Sequence, residues 1–581
     1  MIDRALKLIR RDGRDVGPEW QSLDDQATYD LMASGETLGV FQLEGAGMRD
    51  TLKKVRPHNL EDVIAIISLY RPGPMENIPV YVQGKEDPSS VVYQHPDLKP
   101  VLEATYGVPV YQEQVMRMAQ EIAGYSLGEA DLLRRAMGKK KVEEMIAQRK
   151  RFVEGAAEQK GMEEKLANDI FDTMEKFAGY GFNKSHAAAY ALIGYHTGYL
   201  KRHFPVEFLA ASMSLDIGNT DKLAAFFQEA KRLKIPVLAP DVNTSSADFD
   251  VRDGAVVYAL GALKGVGLEA MKHVVEIRDK DGRFADLYDF AERVDPKHVN
   301  KKAFESLSKA GAFDGTEPNR ARMLESAPLL ANLAVSAAQD RQGGQGGLFA
   351  EAEPALRPVL PKTRAWNGQQ KLDQEFKSIG FYFSGHPLDD VLEGLDRERV
   401  TLAMEVQDRA SDGKPLEMIG VVRARSDKPA RNGGKFAFLT LSDPSGEVEM
   451  MVFPETLSQN YDLLQVGNAV AITVGVKRNA EEIKLNAERV LKLEAARLSK
   501  AMGALKIRLA VGAYVGDLAG VVGHLAKLQD LEQGELLIEM PLEDGRVVTM
   551  KLPATYTIGL SAQRALKEAP GVERVEPLKA A

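Results

Sequence analysis

The stretch from Tyr106 to Pro205 constrains this chain most, because it contains two segments that favour the binding of anions. The first segment starts with Ser126 and Glu129, whose S-x-x-E spacing lets each side chain cap the backbone N–H of the other. Apolar residues follow at helical spacing, and Gly138 stands where a left-handed residue would end the helix. We therefore expect a short capped helix that ends near Gly138.

Cations crowd the end of this helix, and residues 131–152 carry a net charge of +5. One interpretation is a solvated helix end, because the helix dipole also stabilises cations there. Neighbouring cations with few acids between them repel one another, however, and an external polyanion would relieve that repulsion. The candidate phosphate-binding side chains are Arg134, Arg135, Lys139, Lys140 and Lys141.

The second segment runs from Gly179 to His186 and opens a helix predicted over residues 187–203. Its glycines permit unusual backbone angles. Ser185 is expected to cap the helix and to leave free N–H groups beside Lys184 and His186, an arrangement that suits a phosphate. An ordinary glycine loop with a well-made cap is the alternative for this segment alone. Two such segments in one helical region favour a polyphosphate ligand.

Two other places add polar side chains to this region. An apolar helix predicted over residues 60–70 stops at Arg71-Pro-Gly-Pro-Met75, a rigid turn that presents Arg71. Tyr111 and Gln112 begin another helix and supply a phenol and an amide near the cationic run. A surface arginine on a plain turn, and a core tyrosine beside a solvated amide, are the structural alternatives.

Four segments of this region match a known family. They read SLYRPGPM, YGVPVYQEQVM, GYSLGEADLLRRAMGKKK and FAGYGFNKSHAAAYA. They resemble the fingers of the alpha subunit of bacterial DNA polymerase III, the C-family replicative DNA polymerase, and the resemblance continues to the C-terminus. In that family the fingers bind the triphosphate of the incoming dNTP and the template–primer end. The resemblance therefore assigns the cationic run to phosphates and assigns these residues to the active-site wall: Arg71, Tyr111, Gln112, Lys184 and His186.

Metal-binding carboxylates are the part of that family's chemistry that this sequence lacks. Nucleotidyl transfer needs carboxylates that hold two metal ions, and the family supplies them from a P-D-x-D-x-D-F strand of the palm. That motif is absent here. Asp248 and Asp250 share one face of a predicted strand, but no third carboxylate accompanies them. We expect no catalytic residue and no metal site on this chain, with Mg²⁺ held by a palm that is not present. The chain then corresponds to the C-terminal half of the family.

A glycine hairpin follows the fingers-like region. Gly265-Val-Gly267 is typical of a helix–hairpin–helix turn, whose backbone N–H groups receive DNA phosphates without reading sequence. A weaker copy lies at residues 301–314. The pair predicts a grip on duplex DNA that involves Lys264, Gly265, Gly267, Lys301 and Lys302.

Small residues, glycines and prolines fill residues 327–363, which favours a flexible linker. Within it, Gln345, Leu348 and Phe349 have the spacing of the family's sliding-clamp-binding peptide, although such short motifs also arise by chance. The resemblance implies that this linker docks the sliding clamp.

From residue 417 to about 495, apolar and polar residues alternate in three strands, a helix predicted over residues 458–464, and two more strands. This is the order of a five-stranded OB barrel. Side chains on one face and loop would bind single-stranded DNA by stacking and charge, although core phenylalanines and solvated lysines are the alternative. These candidates are Lys428, Arg431, Lys435, Phe436 and Phe438.

The fold class that follows is multidomain α+β: helical fingers and hairpins, an OB barrel, and a small α+β C-terminal domain. For that last domain the resemblance implies docking to the clamp-loader tau subunit. The predicted domains are fingers 1–245, tandem hairpins 246–326, linker 327–363, helical bridge 364–414, OB fold 415–497 and C-terminal domain 498–581.

Composition excludes several function classes. The chain has no cysteine and therefore no disulfide or cysteine-based zinc site, and its nine histidines form no H-E-x-x-H pair. A net charge of −9 argues weakly against nucleic acid, but local patches decide such binding. The longest apolar run, at residues 63–69, is far too short to span a bilayer, and the N-terminus is not a signal peptide. We expect a cytoplasmic location and no membrane partner.

The function that these observations favour is part of the bacterial replicative DNA polymerase, in which this chain binds dNTPs, primer–template, single strands and the clamp. A non-catalytic DNA-binding scaffold derived from the polymerase is the alternative. An NAD-dependent DNA ligase, which also combines hairpins with an OB barrel, is excluded because the K-x-D-G nucleophile motif and the zinc-binding cysteines are both absent.

Overall fold

The structure, a computed structural model, forms two compact units: residues 1–262 with 267–284, and residues 263–266 with 285–581. The residues that it describes are 1–139, 142–178, 180–342, 357–366, 368–394, 397–430, 433–478, 483–493, 502–509, 515–526, 533–542, 546–567, 569 and 572–579.

The first unit is helical apart from one small sheet. Its strands β1 (Val237–Leu238), β2 (Asp250–Arg252) and β3 (Ala255–Val257) pair in the order β1-β3-β2. Its helices are α1 (Ile2–Arg11), α2 (Glu19–Ser22), α3 (Gln26–Ala33), α4 (Ala46–Val55), α5 (Leu60–Leu69), α6 (Ile78–Glu86), α7 (Lys99–Leu102), α8 (Gln112–Ala123), α9 (Leu127–Lys139), α10 (Val142–Lys160), α11 (Glu164–Ala178), α12 (Lys184–His203), α13 (Pro205–Leu215), α14 (Thr220–Arg232) and α15 (Leu268–Asp281).

Two of the apolar cores of this unit meet at the start of α8. The first core packs the apolar residues of α5 against α12 and also buries Tyr111, which immediately precedes α8. The second core takes Val115 and Met118 from the same helix and joins them to α9, α10 and α11. Since α8 bridges the cores, its first residues lie where the two helical groups meet.

The predicted capping box at the start of α9 is confirmed. The Glu129 N–H donates to Ser126 Oγ at 3.3 Å, and the Ser126 N–H donates to Glu129 Oε2 at 2.8 Å. The predicted helix end at Gly138 is wrong, because α9 continues to Lys139 and Gly138 lies inside it. Ala136 and Met137 bury their side chains in the second core, which holds the last turn helical.

The second unit begins with helices and continues as two β-rich parts. The helices are α16 (Leu287–Arg293), α17 (Lys301–Ala310), α18 (Arg320–Gln342), α19 (Gly368–Ile379), α20 (Asp389–Gly394), α21 (Val406–Arg409), α22 (Pro454–Gln459), α23 (Val515–Leu525) and α24 (Leu560–Lys567). The strands are β4 (Val400–Thr401), β5 (Leu416–Pro429), β6 (Lys435–Asp443), β7 (Gly446–Val452), β8 (Ala469–Arg478), β9 (Ile483–Lys492), β10 (Met502–Leu509), β11 (Gln533–Pro541), β12 (Val547–Lys551), β13 (Tyr556–Thr557) and β14 (Val572–Lys579).

A closed barrel lies between residues 416 and 492, as predicted. Its strands pair in the order β5-β6-β7-β9-β8, and β5 also pairs with β8, which closes the sheet; β4 adds a short parallel edge to β5. The helix between β7 and β8 starts at Pro454, four residues before the predicted start. Proline is favoured in the first turn of a helix because its missing N–H needs no partner there.

The first part of the predicted linker, residues 327–363, is helical. Helix α18 covers its residues 327–342, with Pro328 inside the helix, because Ala327, Leu330 and Ala334 are buried along one face. The linker's far end is also anchored, since Tyr288 Oη donates to the Pro358 carbonyl at 2.8 Å. The predicted clamp-binding residues Gln345, Leu348 and Phe349 lie outside the described residues.

The C-terminal part is a small α+β unit, as predicted. Its strands pair in the order β12-β11-β10-β14, with β13 beside β11, and α23 and α24 cover a core centred on Leu505 and Ile507. The multidomain α+β fold class is therefore confirmed. Among the helices that the structure describes, none has the length and apolarity needed to cross a membrane.

Candidate functional site

A short β-bridge joins the starts of α8 and α12, which are about seventy residues apart in sequence. The Gln112 N–H donates to the Phe182 carbonyl at 3.0 Å, and the Phe182 N–H donates to the Val110 carbonyl at 3.2 Å. This bridge brings Tyr111 and Gln112 next to Lys184 and His186. We call the surface formed by Arg71, Gln112, Arg134, Arg135, Lys184 and His186 the fingers surface, while Tyr111 is buried beneath it, as in the core-tyrosine alternative.

Arg71 is fixed on this surface by three contacts. Its Nε donates to the Ser68 carbonyl at 3.1 Å and its Nη2 donates to the Tyr180 carbonyl at 2.8 Å. Its guanidinium lies 4.3 Å from the centre of the Phe182 ring. Burial lowers the pKa of the Arg71 guanidinium, but an arginine remains charged at neutral pH. The proline turn therefore holds the Arg71 guanidinium in a fixed position beside Phe182, just before the start of α12.

The cap of α12 differs from the prediction. Helix α12 starts at Lys184, and the side chain of Asn183 accepts from the His186 N–H at 2.9 Å. Ser185 is thus inside the first turn and does not cap, because the helix begins three residues earlier than expected. A carboxylate from α8 lies at the same place, since Glu113 accepts from the Lys184 N–H at 3.1 Å. The helix N-terminus therefore already holds an internal anion.

Lys184 is also matched by an internal acid. Its Nζ lies 2.9 Å from the Glu61 carboxylate and 5.2 Å from the centre of the Tyr111 ring. Tyr111 is 2 % exposed, and its hydroxyl has no hydrogen-bond partner among the described residues. Burial raises the pKa of the Tyr111 phenol. His186, in contrast, is exposed, with its ring 4.5 Å from that of Tyr190.

Asp131 holds both arginines of α9. Its carboxylate lies 2.8 Å from Arg134 Nη2 and 2.9 Å from Arg135 Nη2. Arg134 also donates to Gln112 Oε1 at 3.3 Å, which connects α9 to the α8–α12 bridge. The hydrogen bond from Arg134 lowers the pKa of Asp131, so this carboxyl is charged at neutral pH. The structure does not describe the Lys139 side chain or residues Lys140 and Lys141.

The first hairpin turn has the backbone that its glycines predict. Gly265 and Gly267 both have φ of +85°, which a side chain would strain. Among the described residues, neither glycine N–H has a hydrogen-bond partner. The Lys302 side chain packs against Gly265, where an added Cβ would lie 2.9 Å from Lys302 Cε. Exposed N–H groups beside a lysine are suited to a phosphate.

The other hairpin lysines are partly engaged. The Lys264 N–H donates to the Ser378 carbonyl at 2.7 Å, and the Lys264 carbonyl accepts from Ser306. Lys301 Nζ lies 3.7 Å from Glu305 one helical turn away. The second copy ends α17 with Gly311 at φ +80°, a left-handed C-terminal residue. Lys264 thus anchors the first turn through its backbone.

The barrel presents two of its candidate residues, Phe436 and Phe438, on its outer face. On β6, Ala437 and Leu439 are buried inside the barrel, whereas Phe436 and Phe438 alternate to the outside. The two phenylalanine rings are 5.6 Å apart and nearly perpendicular. Lys428 stands opposite Phe436 on β5, and Lys435 is exposed beside it. Arg431 lies outside the described residues.

Comparison with known proteins identifies the same three regions. Residues 1–160 match the bacterial DNA polymerase III alpha subunit finger domain, residues 234–323 a helix-hairpin-helix motif, and residues 417–493 an OB-fold nucleic acid binding domain. The DNA polymerase III subunit alpha of Caulobacter vibrioides is 49% identical over 577 residues, which cover 99% of this chain and 50% of that protein. The chain is a relative of the DNA polymerase III alpha subunits.

Other alpha subunits match with similar coverage. That of Thermus aquaticus is 43% identical over 85% of this chain and 41% of its own length. That of Escherichia coli strain K12 is 40% identical over 87% of this chain and 45% of its own length. The chain therefore spans about half the length of the alpha subunits that it matches.

The residues that the structure describes do not fit the Mg²⁺ site that an alpha subunit's reaction implies. Among the described residues, no three acidic or histidine side chains are grouped as metal ligands. Asp248 forms an ion pair with Arg4, and Asp250 accepts from Arg11 at 2.7 Å. These two carboxylates, which sequence pattern alone made candidates, are occupied in holding α1 against the small sheet.

Sequence reasoning missed the three acids on the fingers surface. Asp131 could have been found, because an acid three and four residues before two arginines on a helix pairs with them. Glu61 and Glu113 gave no such signal, because their partner Lys184 is distant in sequence and the contacts depend on how α5, α8 and α12 pack.

Proposed function

We propose that this chain supplies the dNTP- and DNA-binding part of a bacterial replicative DNA polymerase, which extends a primer under the direction of a template. The observation that carries the proposal is the 49% identity to the Caulobacter vibrioides alpha subunit over 99% of this chain. Similarity that extends through the fingers, hairpin and OB regions favours retention of their combined task over reuse of a single domain.

The fingers surface is proposed to bind the triphosphate of the incoming dNTP. Arg71, Lys184 and the arginines of α9 lie around the bridge between α8 and α12, and the acids that pair with Lys184 and the arginines are partly exposed. Exposed ion pairs are weak, so the oxygens of a triphosphate can replace Asp131 and Glu61. Lys139, Lys140 and Lys141 extend the proposed contact to the primer–template phosphates.

The hairpins are proposed to hold duplex DNA, and the barrel is proposed to hold single-stranded DNA. Free N–H groups at Gly265 and Gly267, with Lys302 adjacent, favour duplex phosphates. The outer face of the barrel favours single-stranded template through Phe436 and Phe438.

The chemical step needs metal ions at the primer 3′-OH. The family's Mg²⁺ is assigned to the half of an alpha subunit that this chain does not span, since the described residues do not fit it. When bound, the metals would activate the attacking oxygen and neutralise the leaving pyrophosphate. A cytoplasmic location accords with replication.

The sliding clamp and the clamp-loader tau subunit are the proposed protein partners. Residues 343–353 contain the clamp peptide, in which Leu348 and Phe349 supply apolar anchors worth about 1.5–3 kcal/mol each when buried. A peptide of these residues should bind purified clamp, and Leu348→Ala with Phe349→Ala should abolish that binding. Equal binding by both peptides would refute the assignment. Tau would dock on the C-terminal α+β unit.

The test of the DNA-binding proposal is equilibrium binding of the full chain to a duplex and to a single strand. Both affinities should fall by orders of magnitude between about 50 and 200 mM salt, because phosphate contacts release counterions. Gly265→Ala and Lys302→Ala should weaken duplex binding selectively. Binding that does not respond to salt would contradict the proposal.

A further inference from the structure

The outer face of the barrel continues beyond β6 onto β7. Strand pairing places Phe438 opposite Met451, and Ala437 opposite Val452. The same register extended by one residue sets Phe453 opposite Phe436. Met450 and Val452 are buried inside the barrel, so Met451 and Phe453 point outwards, because side chains alternate along a strand.

Exposure distinguishes this face from a core. Phe453 is 48 % exposed, although it directly follows a strand in which Met450 and Val452 are buried. Phe436, Phe438 and Met451 are partly exposed around it. Four apolar side chains on two neighbouring strands therefore form one continuous outer patch. Residues two apart along a strand are about 7 Å from each other and neighbouring strands are about 4.8 Å apart, so the patch has room for more than one base.

The two ends of this patch differ in charge. Lys428, opposite Phe436, and Lys435 border the end that carries Phe436 and Phe453. Among the described residues, neither lysine has an ion pair. The other end of the same strands carries Glu449, opposite Thr440, and Glu447, which pairs with Arg423. A polyanion is attracted to the lysine end, where its backbone can lie while its bases cover the apolar rings.

We infer that Met451 and Phe453 complete a four-residue stacking platform for single-stranded DNA, with Phe453 as a separate base-stacking position. The inference rests on the proposed function of the barrel and adds residues to it. Aromatic rings stack on any base, so the platform binds without sequence preference, and Lys428 and Lys435 provide the salt-dependent part.

The first test measures binding of the full chain to an oligothymidylate by fluorescence anisotropy. Phe453→Ala should weaken binding about 5- to 150-fold, the range for loss of one stacked base. Phe453→Tyr should restore it, and the salt dependence should stay unchanged because no phosphate contact is lost. Val466→Ala is the matched control, since Val466 is 62 % exposed but precedes Gly467, whose N–H donates to the Val422 carbonyl in the middle of β5, six residues before Lys428.

The second test places a reporter at the site. In Phe453→Trp, single-stranded DNA should quench the added tryptophan emission, whereas Val466→Trp should show no change. Quenching at 453 together with weaker binding by Phe453→Ala supports the platform. If the unaltered chain binds but Phe453→Ala matches Val466→Ala, only the platform is refuted. If the unaltered chain does not bind single strands at all, both the platform and the barrel's proposed function are refuted.

Discussion

The fingers surface and the barrel face use cations in opposite ways. On the fingers surface, Asp131 holds Arg134 and Arg135, and Glu61 holds Lys184. On the barrel face, Lys428 and Lys435 have no ion pair within the described part of the chain, and aromatic rings lie open beside them. A run of basic residues in a sequence therefore does not measure how much positive charge is available to a ligand.

The difference has a consequence for binding. A ligand of the fingers surface must displace internal carboxylates, which favours a multivalent anion such as a triphosphate over a single phosphate. A ligand of the barrel face displaces only water, and stacking gives about 1–3 kcal/mol per base. We therefore expect the fingers surface to be selective and the barrel face to be permissive.

The largest expected effect comes from removing the rings of the barrel face. Phe436→Ala with Phe438→Ala should weaken single-strand binding at least about 25-fold, because two stacked bases are lost. Duplex binding and dNTP use should not change. Anisotropy with matched single and double strands measures this, with Val466→Ala as control. Equal losses for both kinds of DNA would mean that the barrel face is not a separate single-strand site.

A smaller effect is expected from the arginines of α9. Arg134→Ala with Arg135→Ala should raise the KM for dNTP about 10- to 100-fold, because charge-assisted hydrogen bonds to the triphosphate are lost. Steady-state kinetics of the polymerase activity reconstituted with a complementary half measure this. Arg117→Ala, an exposed arginine on α8, is the control. Thermal unfolding should be nearly unchanged, and an unaltered KM would reject the assignment.

The smallest expected effect is an increase in the affinity for triphosphate. Asp131→Asn removes the internal competitor of Arg134 and Arg135 and should tighten triphosphate binding by less than about tenfold, since exposed ion pairs are weak. Competition binding with a fluorescent dNTP measures it. Glu121→Gln, which removes the partner of Arg117, should have no effect. Weaker binding by Asp131→Asn would show that this acid orients the arginines and does not compete for them.

Local pattern predicted much of the fold. The barrel could be predicted because the alternation along β5 to β9 is itself the inside–outside pattern of the sheet. The capping box of α9 could be predicted because both partners lie within one helical turn. The hairpin glycines were identifiable because only glycine readily adopts φ of +85°.

The predictions that were wrong depended on packing between segments that are distant in sequence. Asn183, and not Ser185, caps α12. The β-bridge between the starts of α8 and α12 places Glu113 where its carboxylate accepts from the Lys184 N–H. The small residues that predicted a linker from residue 327 form a buried face of α18 instead. The structure places Gln112, Arg134 and Lys184 around the α8–α12 bridge. Their role as binding residues stays a prediction, and their internal acid partners were not predicted.

The central claim is that this chain binds the substrates of a replicative polymerase and needs a second half for the chemistry. Primer extension with Mg²⁺ tests it most directly, using the chain alone and then the chain mixed with the half of the Caulobacter vibrioides alpha subunit that it does not match. We expect DNA binding without extension by the chain alone, and extension with the added half. Extension by the chain alone that is lost on Asp248→Asn would contradict the claim, and inactivity in both cases with DNA binding kept would favour a non-catalytic scaffold.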